Sequence, residues 1–239
     1  MQLWRFLKPR ALGFTLKNIR QTLVDKVRGA PPRAVQVARY VAVNAEKDNP
    51  QNVLDTMDRF AMEERWLMSV GPEKGPLIQE LAERLPADAN ILELGAYAGY
   101  SSIMLASAFG PDARVTSIEI NEDAVSSSRS NVEAAGLSDQ VTFVHGPSSD
   151  MIKTLEGHFH LVFLDHWKDL YKQDLQLIEQ GGLIGPGSIV VADNVGDMFN
   201  PDEYLEYVRN CGHYQSENRV ATMEYTSIPD AVEISVYKD

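Results

Sequence analysis

The chain has 239 residues, 44% of them hydrophobic, and one cysteine, Cys211. That length supports a large core and one principal domain, and a lone cysteine excludes an intramolecular disulfide framework and suits a reducing, cytoplasmic setting. The net charge of −12 is uneven: residues 1–40 hold nine Lys or Arg against one acid, Asp25, so the remainder carries about −20, which repels phosphate and excludes nucleic acid as a partner.

Leu12, Leu16, Ile19, Leu23 and Val27 recur at spacings of three and four, the mark of an amphipathic helix, with Lys17, Arg20, Lys26 and Arg28 on its other faces. Gly29-Ala30-Pro31-Pro32 ends it, so residues 1–32 form a basic helical extension of a domain spanning 33–239. Three readings of the extension stand: a helix packed on the domain, a basic helix lying on an anionic membrane with Trp4, Phe6 and Leu7 inserted, or an organellar presequence. No apolar run approaches the roughly 18 residues of a membrane span, and residues 1–30 lack the apolar segment of a secretory signal.

Further helices are expected at 33–45, 50–66 and 73–85. The pattern then alternates. Apolar strands at 90–94, 114–119, 140–144, 160–164 and 188–192 are separated by helical segments at 101–109, 123–135, 149–155 and 171–179, with a last helix at 202–210. This βαβ series predicts a doubly wound, mostly parallel sheet with helices on both faces. Two closing strands, 213–218 and 231–237, have no helix between them, so an antiparallel pair completes a seven-stranded sheet.

In such a sheet, ligands bind at the carboxyl ends of the strands. Phe163-Leu164-Asp165-His166-Trp167-Lys168-Asp169 and Ala192-Asp193-Asn194 follow two strands. Two carboxylates and an amide oxygen are a donor set for a hard divalent cation such as Mg²⁺. Lys168 lies within reach of whatever that cation holds, although a surface lysine at a helix start needs no function. His158 and His160 resemble a metal pair but read as bystanders on one strand.

The first strand runs into Glu93-Leu94-Gly95-Ala96-Tyr97-Ala98-Gly99-Tyr100-Ser101. Gly95 permits a tight turn and close ligand approach, and Gly99 precedes a helix N-terminus whose free N–H groups suit a carboxylate. Glu119 ends the second strand and can accept both ribose hydroxyls. The glycine spacing is not that of dinucleotide enzymes and favours S-adenosylmethionine.

These segments, with Trp66-Leu67-Met68-Ser69-Val70-Gly71 and Met223-Glu224-Tyr225, resemble in order and spacing the signatures of the catechol O-methyltransferase family. The resemblance runs from about residue 40 to the C-terminus and implies a Rossmann-like class I methyltransferase. It implies Asp165, Asp193 and Asn194 as ligands of Mg²⁺, Lys168 as general base and Glu224 as holder of the second hydroxyl. It assigns Glu119 to the ribose, Ile120, Ser148, His166 and Trp167 to the adenine, and Val70 and Ser101 to the methionine end. Glu93, Gly95, Tyr97, Gly99 and Asp165 complete the expected cofactor site, and Trp66, Met68, Trp167, Asn194 and Met198 frame the acceptor with Lys168 and Glu224.

The implied reaction is Mg²⁺-dependent methyl transfer from S-adenosylmethionine to one hydroxyl of a catechol, by a monomer or weak dimer. The alternatives are another vicinal-diol phenol of caffeoyl type and a non-catalytic cofactor-binding protein. Ser69, Leu170 and Met198 depart from the family pattern, where Asn, Arg and a nearby proline are usual, which bears on acceptor choice.

Overall fold

The computed structural model describes the backbone of residues 9–238 and side chains from residue 18 onward. The expected insertions of Trp4, Phe6 and Leu7, and the side chains of Leu12, Leu16 and Lys17, lie outside the described residues.

Four helices precede the sheet: α1 (Pro9–Val27), α2 (Arg33–Asn44), α3 (Pro50–Glu63) and α4 (Gly75–Ala82). Local chemistry sets their ends. Asn49 caps α3 by accepting from the Asn52 amide, and Pro50 supplies a preset first turn. α3 stops short of Trp66, where Arg65 turns away to bind Asp25 of α1 through both carboxylate oxygens. α4 is shorter than residues 73–85 suggested, because Lys74 is drawn into the protein interior just before the helix begins.

Seven strands follow: β1 (Asn90–Leu94), β2 (Arg114–Glu119), β3 (Val141–His145), β4 (Leu161–Leu164), β5 (Ile189–Ala192), β6 (Tyr214–Thr222) and β7 (Pro229–Tyr237). They order as β3-β2-β1-β4-β5-β7-β6. The first five are parallel, and β7 pairs antiparallel with both β5 and β6. The direction of strand order reverses between β1 and β4, opening a crevice at their carboxyl ends. The helices α5 (Tyr100–Phe109), α6 (Glu122–Ala134), α7 (Ser148–Met151), α8 (Tyr171–Gln180) and α9 (Asp202–Asn210) connect the strands. The helix expected over 149–155 divides into α7 and a 3-10 turn, Ile152–Thr154.

Strand alternation divides the core into two layers. Ile91, Phe163 and Val191 pack on the side of α2, α3, α5 and α6, whereas Leu92, Leu164 and Ala192 pack on the side of α8 and α9. Strand ends are pinned in register: Asp165 N–H donates to Leu94 O and Asp193 N–H to Leu164 O, each at 2.9 Å. Among the described residues, no helix is long and apolar enough to cross a membrane.

Candidate active site

A cavity of about 390 Å³ opens over the carboxyl ends of β1, β2 and β4. Gly95, Tyr97, Ser101, Glu119, Ile120, Ser148, Asp165, His166, Trp167 and Met68 are among the residues that line it. Gly95 has φ +101°, and a Cβ there would stand 2.5 Å from the Asp165 carbonyl oxygen, so only glycine lets β1 and β4 close together under the cavity. Glu119 is aimed by backbone: Tyr97 N–H donates to its Oε2 and Asn121 N–H to its Oε1, both at 2.9 Å.

The wall beside Ser148 rests on a buried carboxylate that the sequence reading passed over. Asp174 accepts from the Ser148 and Ser149 hydroxyls at 2.5 and 2.6 Å and contacts His166 Nε2 at 2.8 Å. Burial opposes its charge, but these hydrogen bonds win and hold its carboxyl below the usual range. His166 is held neutral below the ordinary histidine range by burial, and its Nδ1 is buried with no hydrogen-bond partner.

Three of the expected cofactor residues do not line this cavity: Val70, Glu93 and Gly99. Glu93 stands behind the cavity rather than on its lining. Alternation turns its side chain away from the strand end into the α5 layer, where Oε2 accepts from Ser102 and Ser117. Gly99 is turned toward α6 instead, with Ser128 against it. Val70 is fully covered behind the cavity wall.

Beside the cavity, and sharing Asp165 with it, lies a buried polar cluster. Lys168 Nζ donates to Asp165 Oδ1 at 3.0 Å and to Tyr171 Oη at 2.8 Å. Tyr171 is itself wholly buried, with its hydroxyl on the Leu164 carbonyl at 2.8 Å. Asp193 and Asn194 are buried at the end of β5. Asn194 Nδ2 donates to Glu224 Oε1 at 3.1 Å and to Asp230 Oδ2 at 2.9 Å, which leaves its amide oxygen as the free donor atom. Asp193 Oδ2 and Glu224 Oε2 are buried without a partner.

At the centre of the cluster is Lys74, 2% exposed. Its Nζ lies 2.6 Å from Asp193 Oδ1, 3.0 Å from Glu224 Oε1 and 3.1 Å from Asp230 Oδ2. Burial works against its charge, yet the three carboxylates hold it far above the usual lysine range. Lys74 and Asp230 escaped the sequence reading. The one available signal was a cation placed just before a helix N-terminus, where the macrodipole disfavours it.

Four carboxylates (Asp165, Asp193, Glu224, Asp230) face two lysines (Lys74, Lys168), two more acids than cations. Burial raises the Asp165 and Glu224 carboxyls above the usual carboxylate range, with the lysines pulling both back. A divalent cation would favour their ionised forms and balance the excess of acids. Among the described residues no three Asp, Glu, His or Cys side chains converge as a metal cluster. The donor set that fits is two carboxylates and the Asn194 amide oxygen, with the unpartnered Asp193 Oδ2 among them.

Of the residues expected on the acceptor side, Trp66 meets the cluster directly. Trp66 Nε1 donates to the Glu224 carbonyl at 3.0 Å. Met198, Met223 and Ile228 form a small apolar group with Trp66 and Phe199 against it. Ser69, on the cavity wall, contacts Tyr225 Oη at 3.2 Å, and Tyr225 donates to Asp58 at 2.7 Å. Leu170 lines the cavity rim. His158 and His160 stand at the opposite end of β4, edge-on at 5.1 Å, where His160 Nδ1 accepts from the Asn90 amide at 3.1 Å.

The profile of the O-methyltransferase family matches residues 44–220 of this chain. The chain belongs to the O-methyltransferase family. This O-methyltransferase is 37% identical over 231 residues to bovine (Bos taurus) catechol O-methyltransferase, covering 94% of this chain and 82% of that one. It is 39% identical over 210 residues to catechol O-methyltransferase B of Danio rerio, covering 86% and 79%. Membership makes it an S-adenosylmethionine-dependent enzyme. Among solved structures, it resembles the O-methyltransferase TomG of Streptomyces achromogenes in complex with SAM, with TM-score 0.67 and 25% identity over 84% of this chain and 95% of that one.

Proposed function

We propose that the enzyme transfers the methyl group of S-adenosylmethionine to one hydroxyl of a catechol, with Mg²⁺ held by Asp165, Asp193 and the Asn194 amide oxygen. The observation that carries this reading is the excess of carboxyl groups over lysines in the cluster beside Lys168, joined to the cofactor cavity through Asp165. Bound there, Mg²⁺ would chelate two adjacent phenol oxygens and favour ionisation of one of them; a free phenol, with a pKa of roughly 10, is a weak nucleophile at neutral pH.

The remaining work falls to the chain itself. Lys168 in its neutral form accepts the phenol proton at Nζ, and the resulting ammonium finds Asp165 Oδ1 and Tyr171 Oη already within hydrogen-bond distance. Glu224 has committed Oε1 to Lys74 and Asn194, so Oε2 is the atom free to accept from the second hydroxyl. Trp66 and Met198 press on the acceptor ring, while Glu119 and His166 anchor the nucleoside end of the donor. Holding donor and acceptor on either side of Asp165 supplies the proximity on which methyl transfer depends.

The test is methyl transfer to catechol and to phenol, with Mg²⁺ and with chelator. Catechol should be methylated only with the cation, and phenol scarcely at all. Lys168→Ala should lower kcat by about 10²–10⁴ while cofactor affinity stays near wild type. Cofactor binding without methylation of any vicinal diphenol would overturn the proposal.

A further inference from the structure

An ordinary surface helix packs its apolar stripe inward; α1 does the reverse. Among the described residues its inner face is mostly polar, with Val24 the half-buried exception. Asp25 pairs with Arg65 at 3.0 Å, and Arg33 reaches across to Asn18 Oδ1 at 3.0 Å and Thr22 Oγ1 at 3.2 Å. The apolar residues Ile19, Leu23 and Val27 point to solvent, 51%, 58% and 87% exposed. Taking about 100° per residue, those three span roughly 80° of the helix circumference, with Lys26 and Arg20 each about 20° beyond one edge. Both flanking cations are exposed, and the same spacing continues in sequence to Leu16 and Leu12.

We propose that α1 is a peripheral docking helix for an anionic lipid bilayer. Ile19, Leu23 and Val27 enter the headgroup–acyl boundary, and Arg20 and Lys26 meet the lipid phosphates on either side. Charge favours a bilayer over a second copy of this chain. Two copies pairing symmetrically through the stripe would bring Arg20 and Lys26 against their own counterparts. Pairing with the acidic body instead would bury the stripe on a charged, polar surface.

The charge asymmetry also sets orientation. The body, at about −20, is repelled by an anionic surface, so approach is confined to the basic helical side. Docking has a consequence for the site as well. Arg33, while gripping α1, donates to the Trp66 carbonyl at 2.8 Å. The helix on the membrane is therefore one side chain away from the loop that carries Trp66 and Met68.

The experiment is co-sedimentation of the full chain with phosphatidylserine-containing vesicles and with neutral phosphatidylcholine vesicles, at low and high salt. Binding should require phosphatidylserine and weaken with salt. Leu23→Asp should lower the vesicle-bound fraction about tenfold or more, as should Arg20→Glu combined with Lys26→Glu. Both variants should melt as the wild type does, since the substituted side chains are exposed. Absence of binding to phosphatidylserine vesicles at low salt would overturn the proposal. So would equal binding by Leu23→Asp, or a Leu23→Asp change that splits a wild-type dimer and leaves vesicle binding intact.

Discussion

Replacing Lys74 with methionine keeps most of its volume and removes one charge from the middle of three carboxylates. The Lys74 side chain is 2% exposed, and its Nζ lies within 3.1 Å of Asp193, Glu224 and Asp230. Removing one partner from a buried ionic set costs about 3–5 kcal/mol, because the charges left behind have no compensation. For a chain of this size each kcal/mol shifts Tm by about 2–4 °C, so a fall of about 6–20 °C is expected. If Mg²⁺ occupies the proposed site, it stabilises the folded chain and not the unfolded one, so it should recover part of the loss and raise Tm more in Lys74→Met than in the wild type. Differential scanning fluorimetry in chelator, followed by a Mg²⁺ titration, measures both quantities. A Lys74→Met protein that melts with the wild type in chelator would refute the electrostatic account of the cluster.

Gly95→Ala should destabilise the chain by about 2–6 kcal/mol, combining strained backbone with overpacking. Its Cβ meets the backbone of Asp165 and His166, which cannot rotate away, so cofactor affinity by calorimetry should fall with stability; wild-type values for both would contradict that packing. The pH response should centre first on His166. Buried and neutral when folded, it takes up a proton near pH 6.5 only on unfolding, so its contribution is present above about that pH and lost as pH falls below it. Asp174, held below its usual range, adds a second loss at lower pH. Urea unfolding of His166→Gln should therefore show a flatter decline between about pH 6.5 and 5; an unchanged slope would assign the acid sensitivity elsewhere.

Asp165, Asp193 and Asn194 were legible in the sequence because each directly follows a short apolar run, and a strand end in a parallel sheet has a predictable place. Gly95 was legible for the same reason, and the structure supplies its cause in the approach of the Asp165 carbonyl. The partners of Glu93 were not legible, because alternation along β1 turns its side chain into the α5 layer, where Ser102 and Ser117 donate to it. α1 divides the same way. Its periodicity predicted the helix, yet periodicity alone cannot say which face a neighbouring element covers, and here Asp25, Asn18 and Thr22 made the contacts.

By itself the sequence determined the doubly wound sheet and the oxygen-bearing side chains at two strand ends, because period and strand-end position are local properties. Only the tertiary structure decided that Asp193, Glu224 and Asp230 surround Lys74. These residues are between 119 and 156 positions apart in the pairs they form with Lys74. They come together because β7 runs antiparallel beside β5 and returns its first residues to the edge where β5 ends. Charge balance in a buried site belongs to that assembly, and no segment of the chain carries it alone.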